Sequence, residues 1–303
     1  MKFLYRLFSI LAGIFGVLIV LFITVVVFLK IREAQQRNKG FIGVIDVAGA
    51  IYSANSILEE LNDLLEERGL KAIIVRVNSP GGLVAPSQEI YESLKRADQK
   101  VPVFISMGPL AASGGYYSAL GGRKIYASPG TLTASIGVIM EFANTEKLFR
   151  WAKIERYTLK AGKFKDVGTP FRDMKPEERE LLMQMLTNIH LQFKNAVRER
   201  RKLSAQSVDA IADGRVMTGE QAFKAGLVDE LGGFEKVLAD SKKLAGLPDS
   251  AHVQYPSSKS GLIRKLLLGE DNSESITQMG ALLSNTLKRS SGARVLLLAP
   301  LLD

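Results

Sequence analysis

FIGVIDVAGAIYSANSILEELNDLLEERGLKAIIVRVNSPGGL, residues 41 to 83, decides the fold class. Two β-branched apolar runs, FIGVIDVAGAI (41 to 51) and KAIIVRVN (71 to 78), flank SILEELNDLLEERG, whose leucines recur at helical spacing up to Gly69. That order is a β-α-β unit. Near-continuous apolar strands are buried on both faces, which requires a largely parallel sheet covered by helices. Working outward, VPVFISM (101 to 107) and RKIYAS (123 to 128) supply further short strands between helical or turn-rich stretches. Beyond Pro170 the chain turns helical: Leu182, Met185, Ile189, Phe193 and Val197 form one apolar stripe in KPEERELLMQMLTNIHLQFKNAVRERRK. The expected organisation is a membrane anchor and connector over 1–39, an α/β domain over 40–250, and a less regular, partly mobile extension over 251–303.

The 303 residues carry a net charge of +9 and contain no cysteine, which excludes a disulfide framework, a cysteine nucleophile and a thiolate metal site. The positive charge does not point to nucleic acid. Lysines and arginines are scattered apart from KNAVRERRK (194 to 202), and no aromatic residues interleave with them. That run reads as a solvated helix face, with acidic lipid headgroups as its second reading. Leu7 to Leu29 is an uncharged run of 23 residues, which at ~1.5 Å per residue spans roughly 35 Å, enough for a hydrocarbon core of about 30 Å. It exceeds a signal-peptide core and lacks a small-x-small site, so an uncleaved anchor is expected. Charges flank both ends, and by the local balance alone the large domain stays in the cytoplasm.

The chemistry concentrates in a few segments. NSPGGL (78 to 83) follows a strand, and its glycines open backbone geometries that let N–H groups face a ligand. In PLAASGGYYSAL (109 to 120), Ser113 stands among small residues where a helix begins, a seat for a nucleophile. A serine hydroxyl needs a base. The two histidines, His190 beside the helical stripe and His252 in AHVQYP, have surroundings that suit packing better than catalysis, and they make a poor metal site. Lysine is the remaining choice, and YTLKAGKFKDVGTP (157 to 170), read as strand into loop, offers Lys160, Lys163 and Lys165. An ordinary lysine is neutral in only about one molecule in 2,500 at pH 7, so a basic lysine must be buried or crowded by positive charge. Composition does not choose among the three.

RVNSPGG, AASGGYY, KIYASPGTLTASIGV, KAGKFKD and GRVMTGEQAFKAGLVDELGG, in that order between Phe41 and Leu244, resemble the signal peptide peptidase A family of membrane-anchored serine/lysine peptidases. The resemblance implies a ClpP/crotonase-type α/β fold of repeated β-β-α and β-α-β units behind one N-terminal transmembrane helix. It implies Ser113 as nucleophile, Lys165 as general base, Ser135 as the group orienting the lysine, and N–H groups of Gly81, Gly82 and Gly114 as the oxyanion hole. It implies no metal or organic cofactor and short apolar peptides, such as cleaved signal peptides, as substrates. It further implies attachment to the bacterial inner membrane with the catalytic domain facing the periplasm or exterior, against the local charge balance, and a homo-oligomeric ring of eight. Two departures from the pattern stand out: GPL leads into AASGG, and Ala134 occupies the place of an expected glycine before Ser135. A membrane-protein quality-control peptidase, a crotonase-like acyl-CoA enzyme and a non-catalytic scaffold are the alternatives.

Overall fold

A computed structural model of the chain describes residue 16, residues 18–28, residues 40–255 and the backbone of residues 295–298. The opening unit forms as expected. Strands β1 (Phe41–Ala48) and β2 (Leu70–Ser79) run parallel, joined over helix α2 (Asn55–Glu66), and pair from Phe41↔Leu70 to Ala48↔Asn78. Strands β4 (Val103–Ala112), β5 (Lys124–Ala127), β9 (Glu230–Leu231) and β10 (His252–Gln254) complete a parallel sheet in the order β10-β1-β2-β4-β5-β9.

The period of two along each strand sorts the core into two layers. Odd-numbered residues Ile45, Val47, Ile73, Val75, Val77 and Ile105 share one face with Ile90 and Leu94 of α3 (Val84–Asp98), Tyr116 of α4 (Gly114–Ala119) and Phe193 of α6 (Pro176–Arg201). Even-numbered Ile42, Val44, Ile74, Phe104 and Tyr126 meet Val237 of α9 (Phe234–Leu244) on the other. Both faces are therefore covered, which is why these strands read as continuous apolar runs. Each fully buried aliphatic contributes about 1.5–3 kcal/mol of transfer free energy.

The site depends on a bend. Strand β4 runs five residues past the VPVFISM segment; it pairs with β5 through Ser106 and then, from Leu110 to Ala112, with β6 (Leu132–Ala134). β6 pairs in turn with β8 (Val216–Thr218) in antiparallel fashion. A separate three-stranded sheet places β11 (Val295–Leu298) between β3 (Gly81–Leu83) and β7 (Ile139–Met140).

The stripe on α6 splits. Leu182, Phe193 and Val197 are buried, Phe193 stacking 4.6 Å from the Tyr117 ring, whereas Met185 is exposed. The basic run at its end is not a plain solvated face. Arg200 donates to the carbonyls of Leu120 and Gly122 at 2.8 and 2.9 Å, and Arg201, only 7% exposed, pairs with Asp229 at 2.6 Å. Carbonyls just beyond the C-terminus of α4 lack helical donors, and the guanidinium of Arg200 supplies them. The apolar N-terminal segment is helical at residue 16 and over residues 18–28, with Leu18, Phe22 and Phe28 exposed. Among the described residues no helix is long and apolar enough to cross a membrane; the rest of the expected Leu7–Leu29 span lies outside them.

Candidate active site

Ser113 sits where β4 ends and α4 begins, with φ 53° and ψ −118°. L-residues rarely adopt that conformation, at a cost of order 1–3 kcal/mol. Two backbone bonds impose it: Ser113 N–H donates to Ala134 O at 2.8 Å, and Ser113 O accepts from Tyr117 N–H at 2.8 Å. Ser113 is fully buried and its Oγ has no hydrogen-bond partner. Leaving a buried hydroxyl unpaired costs a further ~1–3 kcal/mol, so two unfavourable terms meet at one residue. The glycines after it are demanded by space. A Cβ on Gly114 would stand 2.5 Å from Ser87 Oγ and 3.1 Å from Gly82 N; one on Gly115 would stand 2.8 Å from Ser79 O.

The Pro-Gly-Gly turn thus lies against the start of α4. Gly81 has φ 102°, and a Cβ on Gly82 would come 2.2 Å from Ile51 O. Ile51 N–H donates to Gly81 O at 2.8 Å and Leu83 N–H to Ile51 O at 2.7 Å, which locks the turn. Gly81 N–H donates to Ser79 Oγ at 3.1 Å. Of the amides expected to bind an oxyanion, that of Gly81 is thus taken by Ser79, while Gly82 N stands against Gly114, the residue after Ser113.

Ser135 is brought next to Ser113 by strand register. Ala112 pairs with Ala134, so both serines leave adjacent strand ends, each with positive φ (53° and 51°). Ser135 N–H donates to Arg215 O at 2.9 Å. Ala134 itself has φ 63°, which gives a physical reason for a glycine at that position: only glycine adopts it without a Cβ penalty. His190 Nε2 lies 3.2 Å from Ile136 O, so this histidine braces the strand end that carries Ser135. His252 lies in β10 at the sheet edge.

The lysine segment differs from its expected form: Tyr157–Pro170 contains no strand. It is an exposed arm: Tyr157 and Leu159 are 84 and 99% exposed, and Trp151, at the end of the helix at its base, is 81% exposed. Charge ties it to the residues that follow. Arg172 bridges Asp166 at 3.0 Å and the buried Glu178 at 2.5 Å, and Lys160 also pairs with Asp166. The hydrogen bonds from Lys160 and then Arg172 lower the Asp166 carboxyl to about 2, and those from Arg172 and the Lys175 amide lower Glu178 to about 2. Lys163 pairs with Glu177 at 3.1 Å. Of the three candidate lysines, Lys165 alone has no carboxylate partner among the described residues, and it is exposed. Ser113 Oγ, having no partner, is not met by Lys165 within one chain. A cleft of about 610 Å³ under the arm, lined by Phe149, Arg150, Asp166, Phe171 and Arg172, does not include Ser113 either.

Known families match this arrangement. The model of Clp protease matches residues 43–134, the stretch holding β1 to β4, Ser113 and β6, consistent with a ClpP-like fold. That of peptidase family S49 matches residues 95–248. A candidate protease of Synechocystis, slr0021, is 38% identical over 78% of this chain and 86% of its own length. A candidate signal peptide peptidase SppA of Enterococcus faecium is 32% identical over 69% of this chain. Protease 4 of Salmonella typhi is 34% identical over 71% of it. The chain spans 61% of the Enterococcus protein and 36% of the Salmonella protein. The strained serine, its glycine surroundings and the matches over most of the described domain lead to one conclusion: this chain belongs to peptidase family S49, a family of proteases.

Proposed function

We propose that the protein is a serine endopeptidase anchored by residues 7–29, with Ser113 as nucleophile and Lys165 as general base, acting on short apolar peptides such as remnants of cleaved signal peptides. The observation that carries this reading is the buried, unpartnered Ser113 Oγ held at φ 53° between the Gly81-Gly82 turn and α4. Ser113 Oγ attacks the scissile carbonyl while Lys165 Nζ accepts its proton. N–H groups of Gly82 and Gly114 stabilise the oxyanion. The lysine then protonates the leaving amine and later takes a proton from the water that attacks the acyl-enzyme. Ser135, beside Ser113 in register, hydrogen-bonds the neutral amine. The chemistry asks for no metal or organic cofactor.

The exposure of Lys165 on an apolar arm favours a dyad completed between copies. Trp151, Tyr157 and Leu159 on that arm bury against a neighbour, which brings a lysine into a site that lacks a base. Repetition of a head-to-tail contact of this kind closes a ring, for which eight copies are proposed. The catalytic domain faces the periplasm or exterior.

Fluorophosphonate labelling tests the nucleophile: the wild type is labelled at Ser113 and the Ser113→Ala protein is not. Equal labelling of both sinks the assignment, and an unlabelled wild type favours the acyl-CoA or scaffold alternatives. Mixing Ser113→Ala with Lys165→Ala protein tests the shared dyad, because activity returns only if one copy's lysine serves another's serine. The peptides released from membranes separate signal-peptide clearance from membrane-protein quality control. Retention in the membrane pellet after carbonate washing, with the original amino terminus, checks the anchor.

A further inference from the structure

The cleft under the arm carries charge that the arm's own ion pairs do not use up. Its walls are apolar where Phe149 and Phe171 meet edge to face at 4.9 Å beside Ile154. Each of its carboxylates is engaged: Glu146 takes Arg150 at 2.5 Å, Asp166 takes Arg172 at 3.0 Å, and Glu155 accepts from the Tyr157 hydroxyl at 2.5 Å. Two cations are left over. Lys153 and Arg156 line the cleft and pair with no carboxylate among the described residues. Counting the lining, Arg150, Lys153, Arg156 and Arg172 stand against three carboxylates, a surplus of one positive charge. Arg156 lays its guanidinium over the Phe171 ring, 3.6 Å from the centroid. Stacking fixes the plane of that fork and leaves its N–H donors for an anion.

We propose that this cleft is an exosite for the free C-terminal carboxylate of an apolar peptide: Arg156 and Lys153 take the carboxylate, and Phe149, Ile154 and Phe171 take the apolar residue that bears it. A cleft of about 610 Å³ has room for a few residues of peptide. One surplus positive charge on an aromatic wall matches a monoanion on an apolar body, and the planar guanidinium meets a carboxylate with two parallel N–H···O bonds. The cleft is also joined to the proposed base. Asp166 is in its wall and follows Lys165 directly, so the cleft travels with that lysine, whichever copy's serine the lysine serves. The identity of the ligand rests on the peptidase reading. Its consequence is selectivity: a peptide already released from its protein ends in a charge, whereas the same apolar segment inside an intact protein continues as a neutral amide and makes neither bond.

The test compares one labelled peptide rich in leucine and alanine in two forms, a free acid and a carboxamide, on the detergent-solubilised full chain. Binding to the Ser113→Ala protein, read by fluorescence anisotropy, should be about tenfold tighter for the acid than for the amide, as a hydrogen bond to a charged group allows. Adding Arg156→Gln should bring that ratio down to about one, and adding Lys153→Gln should reduce it in part. In the wild type the same ratio should appear in KM, with kcat little changed. Binding needs no catalysis, so an acid preference without cleavage by the wild type supports the exosite and sinks only the peptidase reading. Equal binding of acid and amide overturns the proposal, and that comparison needs no change in the cleft. An acid preference that survives Arg156→Gln and Lys153→Gln together at unchanged Tm puts the carboxylate elsewhere and also overturns it. So does equal binding of both forms with displacement by phosphatidylglycerol but not phosphatidylcholine in the mixed micelle, which would give the two cations to lipid phosphate.

Discussion

The elbow at Ser113 and the arm at Lys165 are built by opposite means. The elbow is buried, its conformation imposed by strand register and by glycine contacts that leave no room for a Cβ. The arm is exposed, holds no strand, and is tied to the residues after it by the charge cluster of Lys160, Asp166, Arg172 and Glu178. A core that is close-packed can hold a strained serine because relaxing it would disturb the β4–β6 pairing and the Gly82 turn packed against Gly114. A surface loop cannot store strain in that way, because nothing packed around it resists relaxation. The position of Ser113 is thus fixed within one chain, whereas that of Lys165 is not fixed against Ser113 by any contact among the described residues.

The largest effect should come from breaking the elbow's chemistry without its shape. Ser113→Ala should lower kcat/KM by on the order of 10³-fold or more. Its Tm should stay level or rise, since the change removes a buried hydroxyl that lacks a partner. A large drop in Tm would mean that the hydroxyl has a structural partner.

On the arm, Lys165→Arg should be as damaging as Lys165→Ala, on the order of 10³-fold in kcat, because a guanidinium does not accept the serine proton. Lys163→Ala should keep most activity, since its ion pair with Glu177 is exposed. Near wild-type turnover by Lys165→Arg, with Lys160→Ala inactive, would move the base to the other lysine.

Arg172→Ala should have an intermediate effect, leaving the buried Glu178 without its main partner and freeing one end of the arm. Trp151, the single tryptophan, is exposed at the base of the arm and reports its state by fluorescence. The sign of the pH dependence follows from depressed carboxyl values. Asp166 and Glu178 stabilise the folded arm fully above their ordinary range, near 3.8 and 4.5, and that stabilisation is lost as pH falls toward about 2. Acid titration should therefore change Trp151 emission below pH ~4.5, while the elbow, which depends on no carboxylate, holds until global unfolding. Arg172→Ala should remove that step.

The smallest effect should be Ala134→Gly. Relief of a positive φ is worth about 1–2 kcal/mol and the added chain entropy offsets about half of it. Tm should rise slightly with activity retained. A loss of activity would mean that the Ala134 methyl supports Ser135.

Much of this was legible along the chain. The apolar runs at 41 to 51 and 71 to 78, with α2 between them, became β1 and β2, because strands buried on both faces advertise themselves by composition. The serine and its glycines were legible because their local geometry is unusual enough to demand small residues. β6 and β8 were not picked out: at three residues each they carry too little periodicity, and they exist because the bent end of β4 needs partners. YTLK alternates like a strand but meets no sheet edge, so it stays irregular. Arg200 and Arg201 read as surface charge because nothing local reveals the carbonyls they serve, some eighty residues earlier in the chain for Arg200.

By itself, then, the sequence determined the α/β class, the seat of Ser113 and a choice of three lysines. These follow from periodicity and from residues whose backbone needs are local. The tertiary structure alone decided which amides stand beside Ser113, that Lys160 and Lys163 are tied to carboxylates while Lys165 is not among the described residues, and that β11 pairs between β3 and β7. The amide and β11 contacts join segments dozens to hundreds of residues apart and are set by strand register and packing; the lysine ion pairs are closer in sequence, but which carboxylate each lysine meets depends on how the loop folds.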